Sequence, residues 1–294
     1  MHKLYCFGFN AFGQAGNEIK EVLSEACLCE NIKTVLYANW EVTIGTTYND
    51  DSLSVWGFQS ILTKKLVERC KAKVPICVFG DPNTAMGFID NNETLYLISK
   101  TFECSFEAVR NAVYSQQCAF MLNYQGEVKR LDCQDLACAV PETLRLPPVN
   151  MMYASSQHVL FLANSVDTPV FGLGSNKLCQ LGTLDDQEIR QPIAIDYFCG
   201  LMTKAEQASC GLFHSAVILN GDVYTFGWSK DGRLGSGTYD KEDIITLAQC
   251  VDDQDQPVEI QAVQVSCGSA HTLILDDQGQ IWSCGSSRQI WAVG

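Results

Sequence analysis

Cys210-Gly211-Leu212-Phe213-His214-Ser215 is followed by Val217-Ile218-Leu219 and by Gly221-Asp222-Val223-Tyr224-Thr225-Phe226-Gly227-Trp228. The same order returns as Cys267-Gly268-Ser269-Ala270-His271-Thr272, Leu273-Ile274-Leu275 and Gly279-Gln280-Ile281-Trp282-Ser283-Cys284-Gly285. His214 and His271 stand 57 positions apart, as do Gly211 and Gly268. A period of this length, built from short strands joined at polar turns, marks a propeller or solenoid. It also favours binding over catalysis, because such scaffolds present broad, rigid surfaces.

Each unit reads as a β-hairpin. A small-residue turn and a His-Ser or His-Thr pair open an apolar run, and a second strand ends in aromatic-Gly. Weaker copies precede the two clear ones. His158-Val159-Leu160-Phe161-Leu162 leads to Val170-Phe171-Gly172-Leu173-Gly174 and then Gln180-Leu181-Gly182. Three more hairpins begin at Trp40, Met86 and Cys118. The chain opens on a second strand alone, Leu4-Tyr5-Cys6-Phe7-Gly8-Phe9-Asn10, with Gly13-Gln14 after it. A strand without a hairpin mate predicts an all-β ring of about seven four-stranded blades, closed by pairing residues 3–10 with C-terminal strands. Residues 289–293 are one candidate closing strand, and strands outside this sequence are the other.

The pattern Cys-Gly-x-x-His-[Ser/Thr], an apolar run, aromatic-Gly and Gly-x-Asn-x-x-x-Gln-Leu-Gly resembles the regulator of chromosome condensation repeat. The match is carried by residues 164–181, 210–235, 267–285 and 4–14. The resemblance implies a seven-bladed β-propeller. Phe7-Gly8-Phe9 with Phe12-Gly13-Gln14 is also similar to the start of short, single-propeller adaptor members. Partners implied in this way are a jumonji-type histone demethylase, or a small zinc protein of the Elongator and diphthamide pathways. The founding member implies a different activity, guanine nucleotide exchange on a small GTPase. Its wedge has no residue-by-residue match in this chain.

Composition bounds the rest. At 294 residues and 47% hydrophobic, residues 1–294 can form one propeller domain with a large core. No run of about 18 apolar residues predicts a membrane helix. The start Met1-His2-Lys3-Leu4-Tyr5-Cys6 enters the repeat without the apolar core of a signal peptide. Fifteen cysteines, an odd number in a long chain, predict reduced thiols of the cytosol or nucleus, several of them at the repeat's own turn (Cys118, Cys210, Cys267). A net charge of −14 opposes direct nucleic-acid binding and favours basic protein partners.

Candidate chemistry is thin. His158, His214 and His271 occupy one slot of the repeat, which predicts structural hydrogen bonds rather than a metal site. Cys27-Leu28-Cys29 has no second ligand pair at metal spacing. Gly172-Leu173-Gly174 lacks the third glycine of a dinucleotide cradle, and no nucleophile elbow is present. The expectation is therefore a non-enzymatic protein with no cofactor. Two charged stretches are candidate docking surfaces. Lys64, Lys65, Arg69, Lys71 and Lys73 run through apolar residues at near-helical spacing, either as a solvated helix or as a basic patch. Asp240, Glu242, Asp243, Asp252, Asp253, Asp255 and Glu259 gather on a connection (236–259) longer than the roughly 4–6 residues typical of a link. There, Ile244-Ile245-Thr246-Leu247 and Ile260-Gln261-Ala262-Val263 can also be strands.

Overall fold

The apolar runs that define the repeat become the second strands of antiparallel sheets. In the computed structural model, which describes residues 4–16, 21–29, 32–48, 52–71, 73–184, 187–237 and 242–286, six sheets of three or four strands follow one another along the chain. Blade one is Ile32–Ala38, Val42–Thr47 and Leu53–Gly57. Blade two is Pro75–Asp81, Ala85–Asp90, Leu95–Ser99 and Glu103–Phe106. Blade three is Val109–Ser115, Cys118–Asn123, Val128–Asp132 and Glu142–Thr143. Blade four is Val149–Ala154, His158–Ala163, Val170–Ser175 and Glu188–Ala194. Blade five is Ala205–Cys210, His214–Leu219, Asp222–Trp228 and Glu242–Leu247. Blade six is Ala262–Cys267, His271–Asp276 and Ile281–Gly285.

Two expectations need correction. The all-β propeller stands, but among the described residues it has six blades rather than about seven, with three strands in blades one and six. The opening strand is also not mateless: Leu4–Phe9 pairs antiparallel with Val22–Cys29 in a two-stranded sheet. That mate carries neither the histidine nor the aromatic-Gly of the repeat, so the repeat pattern could not reveal it. The expected closing segment at 289–293 lies outside the described residues.

First strands of successive blades touch each other, which places them innermost and stacks the second and third strands outward. Packing explains why the second strands read as unbroken apolar runs. Every residue of Ala85–Asp90, His158–Ala163 and His214–Leu219 is buried, because each blade is covered on both flanks. The core is thus a series of layers between neighbouring blades. Phe120 and Leu122 of blade three meet Val159 and Phe161 of blade four. Leu160 and Leu162 of blade four meet Ala208 and Val217 of blade five. Ala216 and Ile218 of blade five meet Val265 and Ile274 of blade six.

The signature residues tie these layers together. His158 Nε2 lies 2.7 Å from Ser215 Oγ of the next blade, and Ser215 Oγ donates to the Gln180 carbonyl at 2.8 Å. One blade on, His214 Nε2 lies 2.9 Å from Thr272 Oγ1, which donates to the Arg233 carbonyl at 2.7 Å. Each hydroxyl proton is committed to a carbonyl, so each imidazole must donate from Nε2. The signature glycines make room for the rings. A Cβ on Gly211 would sit 2.3 Å from His214 Cε1. Gly227, which pairs with His214 across the hairpin, has φ +108°, and a Cβ there would meet the Phe213 carbonyl at 2.6 Å.

Both imidazoles are buried, and burial pushes His158 and His214 down to about 3. In the unfolded chain they titrate near the ordinary value of about 6.5. Below that pH the unfolded chain takes up protons that the folded one refuses. The stability they contribute is complete above pH 6.5 and is lost as pH falls toward 3. We predict a falling melting temperature between about pH 7 and pH 5, where exposed carboxylates remain ionised. The His214→Gln variant should melt lower at pH 7.5 but show a shallower decline; equal slopes would remove the histidines as its cause. Thr272→Val leaves the buried His214 N–H without its acceptor and the Arg233 carbonyl with only the weak Cys284 thiol donor. It should cost about 2 kcal/mol in urea unfolding, against a few tenths for an exposed threonine.

Candidate protein-binding surface at the channel rim

The first strands of blades one to four, together with the loops that follow them, wall a cavity of about 1170 Å³. It opens at the end where each first strand turns into its second. Tyr37, Asn39 and Trp40 come from blade one, Gly80, Asp81 and Asn83 from blade two, Tyr114 and Gln117 from blade three, and Ser155 to Gln157 from blade four. The rim loops are fastened locally. Asn39 Oδ1 accepts from the Glu41 and Val42 amides at 3.0 and 2.8 Å, closing an Asx turn. Asp81 Oδ1 accepts from the Asn83 amide at 2.8 Å.

Tyrosines join the blades here, where the histidine slot holds Val42, Ala85 and Cys118 instead. Tyr37 of blade one donates its hydroxyl to the Gly80 carbonyl of blade two at 3.1 Å. The Tyr114 hydroxyl of blade three lies 2.6 Å from Thr84 Oγ1 of blade two. Four exposed aromatics extend the rim toward the N-terminal sheet. Phe12 packs edge-on against Trp40 at 5.3 Å and approaches Phe58 and Phe9 at 6.3 Å each. Trp40 remains 61% exposed. Gln14 Nε2 donates to the Trp40 carbonyl at 2.8 Å and fixes its loop.

The cavity wall is electronegative. Among its described lining residues Asp81 is the one acidic side chain, and no lysine, arginine or histidine is found there. Its field reaches several neighbours. Burial and then the Asp81 charge hold the Tyr37 hydroxyl far above the usual phenol range. Glu41 is raised by burial and by Asp81 in the same order. Tyr114 is pushed up to about 12, chiefly by burial, with Asp81 a smaller contribution.

The charged stretches singled out in the sequence sit elsewhere. The basic one is a helix, Ile61–Cys70, capped by Ser60 and packed through Leu62 and Leu66 between blades one and two. Its charges are largely engaged: Arg69 pairs with Glu103 at 2.6 Å, Lys71 with Glu68 at 2.6 Å, and Lys65 Nζ donates to the Lys100 carbonyl at 2.6 Å. Lys64 is exposed, and Lys73 lies over the Tyr96 ring at 4.0 Å. The acidic connection divides into parts. Asp240 lies outside the described residues, while Glu242 and Asp243 fall on the outer strand of blade five. Asp252, Asp253 and Asp255 lie exposed between the short strands Cys250–Val251 and Pro257–Val258. The basic and acidic stretches belong to different blades. Cys27 and Cys29 lie on the N-terminal sheet, where Cys29 Sγ contacts Cys6 Sγ at 3.0 Å.

The repeat pattern missed the rim because it recognises second and third strands only. A detectable signal lay just before each hairpin, in the short β-prone runs Val35-Leu36-Tyr37, Cys77-Val78-Phe79, Ala112-Val113-Tyr114 and Met151-Met152-Tyr153.

Comparison with known proteins agrees with this architecture. The family described as "Regulator of chromosome condensation (RCC1) repeat" matches residues 220–275, and a second description of the same repeat matches 262–289. The X-linked retinitis pigmentosa GTPase regulator homolog of Caenorhabditis elegans is 32% identical over 132 residues, 45% of this chain and 9% of that protein. The secretion-regulating guanine nucleotide exchange factor of Mus musculus is 33% identical over 125 residues, 40% of this chain and 24% of that protein. The chain therefore spans less than a quarter of the length of these relatives. Among solved structures, human WBSCR16 superimposes with a TM-score of 0.75 at 16% identity, covering 98% of this chain and 90% of that one, a likeness of fold. The matched residues, 220–289, run from the third strand of blade five through blade six, and this part of the chain is similar to the regulator of chromosome condensation (RCC1) repeat.

Proposed function

We propose that residues 1–294 act as one non-enzymatic, protein-binding propeller, an adaptor or regulatory subunit of an intracellular complex. The observation that carries this reading is the rim. It is a wide cavity of mixed polar and apolar lining bordered by exposed aromatic side chains, on strands whose spacing is held by inter-blade hydrogen bonds. Exposed aromatics on rigid loops are the side chains most enriched at protein interfaces. His158 and His214, by contrast, are buried in structural ties and present no acid–base group to a substrate. A jumonji-type histone demethylase of the nucleus, or a small zinc protein of the cytoplasmic diphthamide machinery, belongs to this reading as the partner.

Exchange on a small GTPase is the second reading, favoured by the name of the mouse relative. It requires a propeller face that inserts beside the bound nucleotide and speeds its release. The exposed acid cluster Asp252, Asp253 and Asp255, with Asp240, Glu242 and Asp243 nearby in sequence, is a further proposed contact for a basic partner face.

Affinity purification of the tagged chain, followed by mass spectrometry, separates these readings. Adaptor function predicts a stoichiometric non-GTPase partner, and no acceleration of labelled GDP release from a panel of small GTPases. A recovered GTPase whose nucleotide release rises tenfold or more would replace the adaptor reading with exchange. Asp252, Asp253 and Asp255 changed together to Asn should slow association with the recovered partner several-fold at low salt. An unchanged rate would make that hairpin a solvated edge of its blade.

A further inference from the structure

Asp81 lines the rim cavity with no lysine, arginine or histidine among the described lining residues, and a second carboxylate, Glu41, follows the lining residue Trp40 in sequence. Glu41 is only 6% exposed, yet no basic group pairs with it among the described residues. Asp81 stands on the next blade, lines the cavity, and is close enough to raise Glu41 by its charge. Neighbouring like charges that are partly desolvated repel each other, and the repulsion disappears when a cation enters between them or beside them. Trp40, adjacent in sequence to Glu41, lines the same cavity and leaves most of its indole open to solvent. Phe12 buttresses it edge-on at 5.3 Å. An aromatic face beside a carboxylate is the chemistry that receives an ammonium or guanidinium group, with the aliphatic stem lying along the ring.

We propose that the channel rim is a receptor for a lysine- or arginine-bearing peptide segment of a partner, its cation seated by Asp81 and its stem against Trp40. This assignment rests on the protein-binding reading and adds to it the chemistry of the partner. The cavity, about 1170 Å³, is wide enough for several residues of extended chain rather than a single side chain. Its uncharged wall, with Asn39, Asn83, Gln117 and Gln157, offers hydrogen bonds to a peptide backbone without fixing a sequence. The chain's charge of −14 steers such a segment toward the protein, and the rim supplies the place where it stops.

The test uses the full chain and a fluorescein-labelled nonapeptide alternating lysine and glycine, with a glutamate-for-lysine peptide as control. Anisotropy should show saturable binding of the lysine peptide, weakened by raising NaCl from 50 to 300 mM, and none of the glutamate peptide. Asp81→Asn should weaken binding about tenfold, and Trp40→Ala about fivefold. Asn83→Lys places a competing cation beside Asp81 on an exposed loop whose backbone contact it retains, and should weaken binding at least tenfold with an unchanged melting temperature. Changing Asp167, Asp222 and Asp277 together to Asn removes more charge at exposed positions outside the rim and should leave affinity within twofold. The inference is overturned if the rim variants bind as the parent does, or if the Asp167, Asp222 and Asp277 variant loses as much as Asp81→Asn, which would make the binding diffuse charge attraction. It is also overturned if the lysine peptide fails to bind at all. Should partner capture from cells then persist in the Asp81→Asn and Trp40→Ala variants, the adaptor reading would survive without this site.

Discussion

A blade in this molecule cannot satisfy its own hydrogen bonds. The imidazole of His158 needs the hydroxyl of Ser215 on the following blade, and His214 needs Thr272 on the one after that. Each hydroxyl in turn closes on a carbonyl of the blade from which the imidazole came, at Gln180 and Arg233. Burial makes these ties obligatory, since an unpaired imidazole N–H in an apolar layer costs more than the bond itself contributes. The spacing of the repeat follows from that reciprocity. A glycine must precede the ring to leave it space, and a second glycine must face it across the hairpin.

In the first half of the ring the same task falls to different chemistry. Val42, Ala85 and Cys118 stand where the histidines would be, and Tyr37 and Tyr114 reach across from the first strands instead. This exchange weakens the repeat over those residues without weakening the propeller. It also has a functional consequence. The histidine ties lie deep between blades, whereas the tyrosine ties lie in the cavity wall, so the blades that diverge most in sequence are those that shape the rim. Divergence from a structural pattern and the presence of a surface with its own chemistry coincide in blades one to three.

The electrostatics of the molecule are uneven in a way that total charge conceals. Most acidic side chains, including Asp252, Asp253 and Asp255, are exposed to solvent, where screening makes their mutual repulsion small. Asp81 and Glu41 are fewer and lie on neighbouring blades; burial first and the Asp81 charge second raise both Tyr37 and Glu41. The basic helix does not offset them, because Arg69 and Lys71 are already spent on Glu103 and Glu68. For binding, position outweighs number.

Sequence alone determined the architecture class. A 57-residue period with a buried histidine, a glycine before it and an aromatic-Gly strand after it can be met only by sheets stacked flank to flank. It also pointed to structural roles for the histidines of that slot, and the structure bears this out at His158 and His214, whose imidazoles tie neighbouring blades. The number of blades was not legible, because Val22–Cys29 pairs with Leu4–Phe9 through backbone hydrogen bonds that need no signature residue. Nor was the rim. Tyr37, Trp40 and Asp81 fall at the strand ends and turns of the weakest repeats, and only the lateral stacking of first strands brings them to one cavity. The sequence lists charges along a line, so its densest runs are Lys64, Lys65 and Arg69 and the acidic connection. The tertiary structure decided that a lone acid from blade two, Asp81, shares a cavity wall with an aromatic from blade one, Trp40, forty-one residues earlier in the chain.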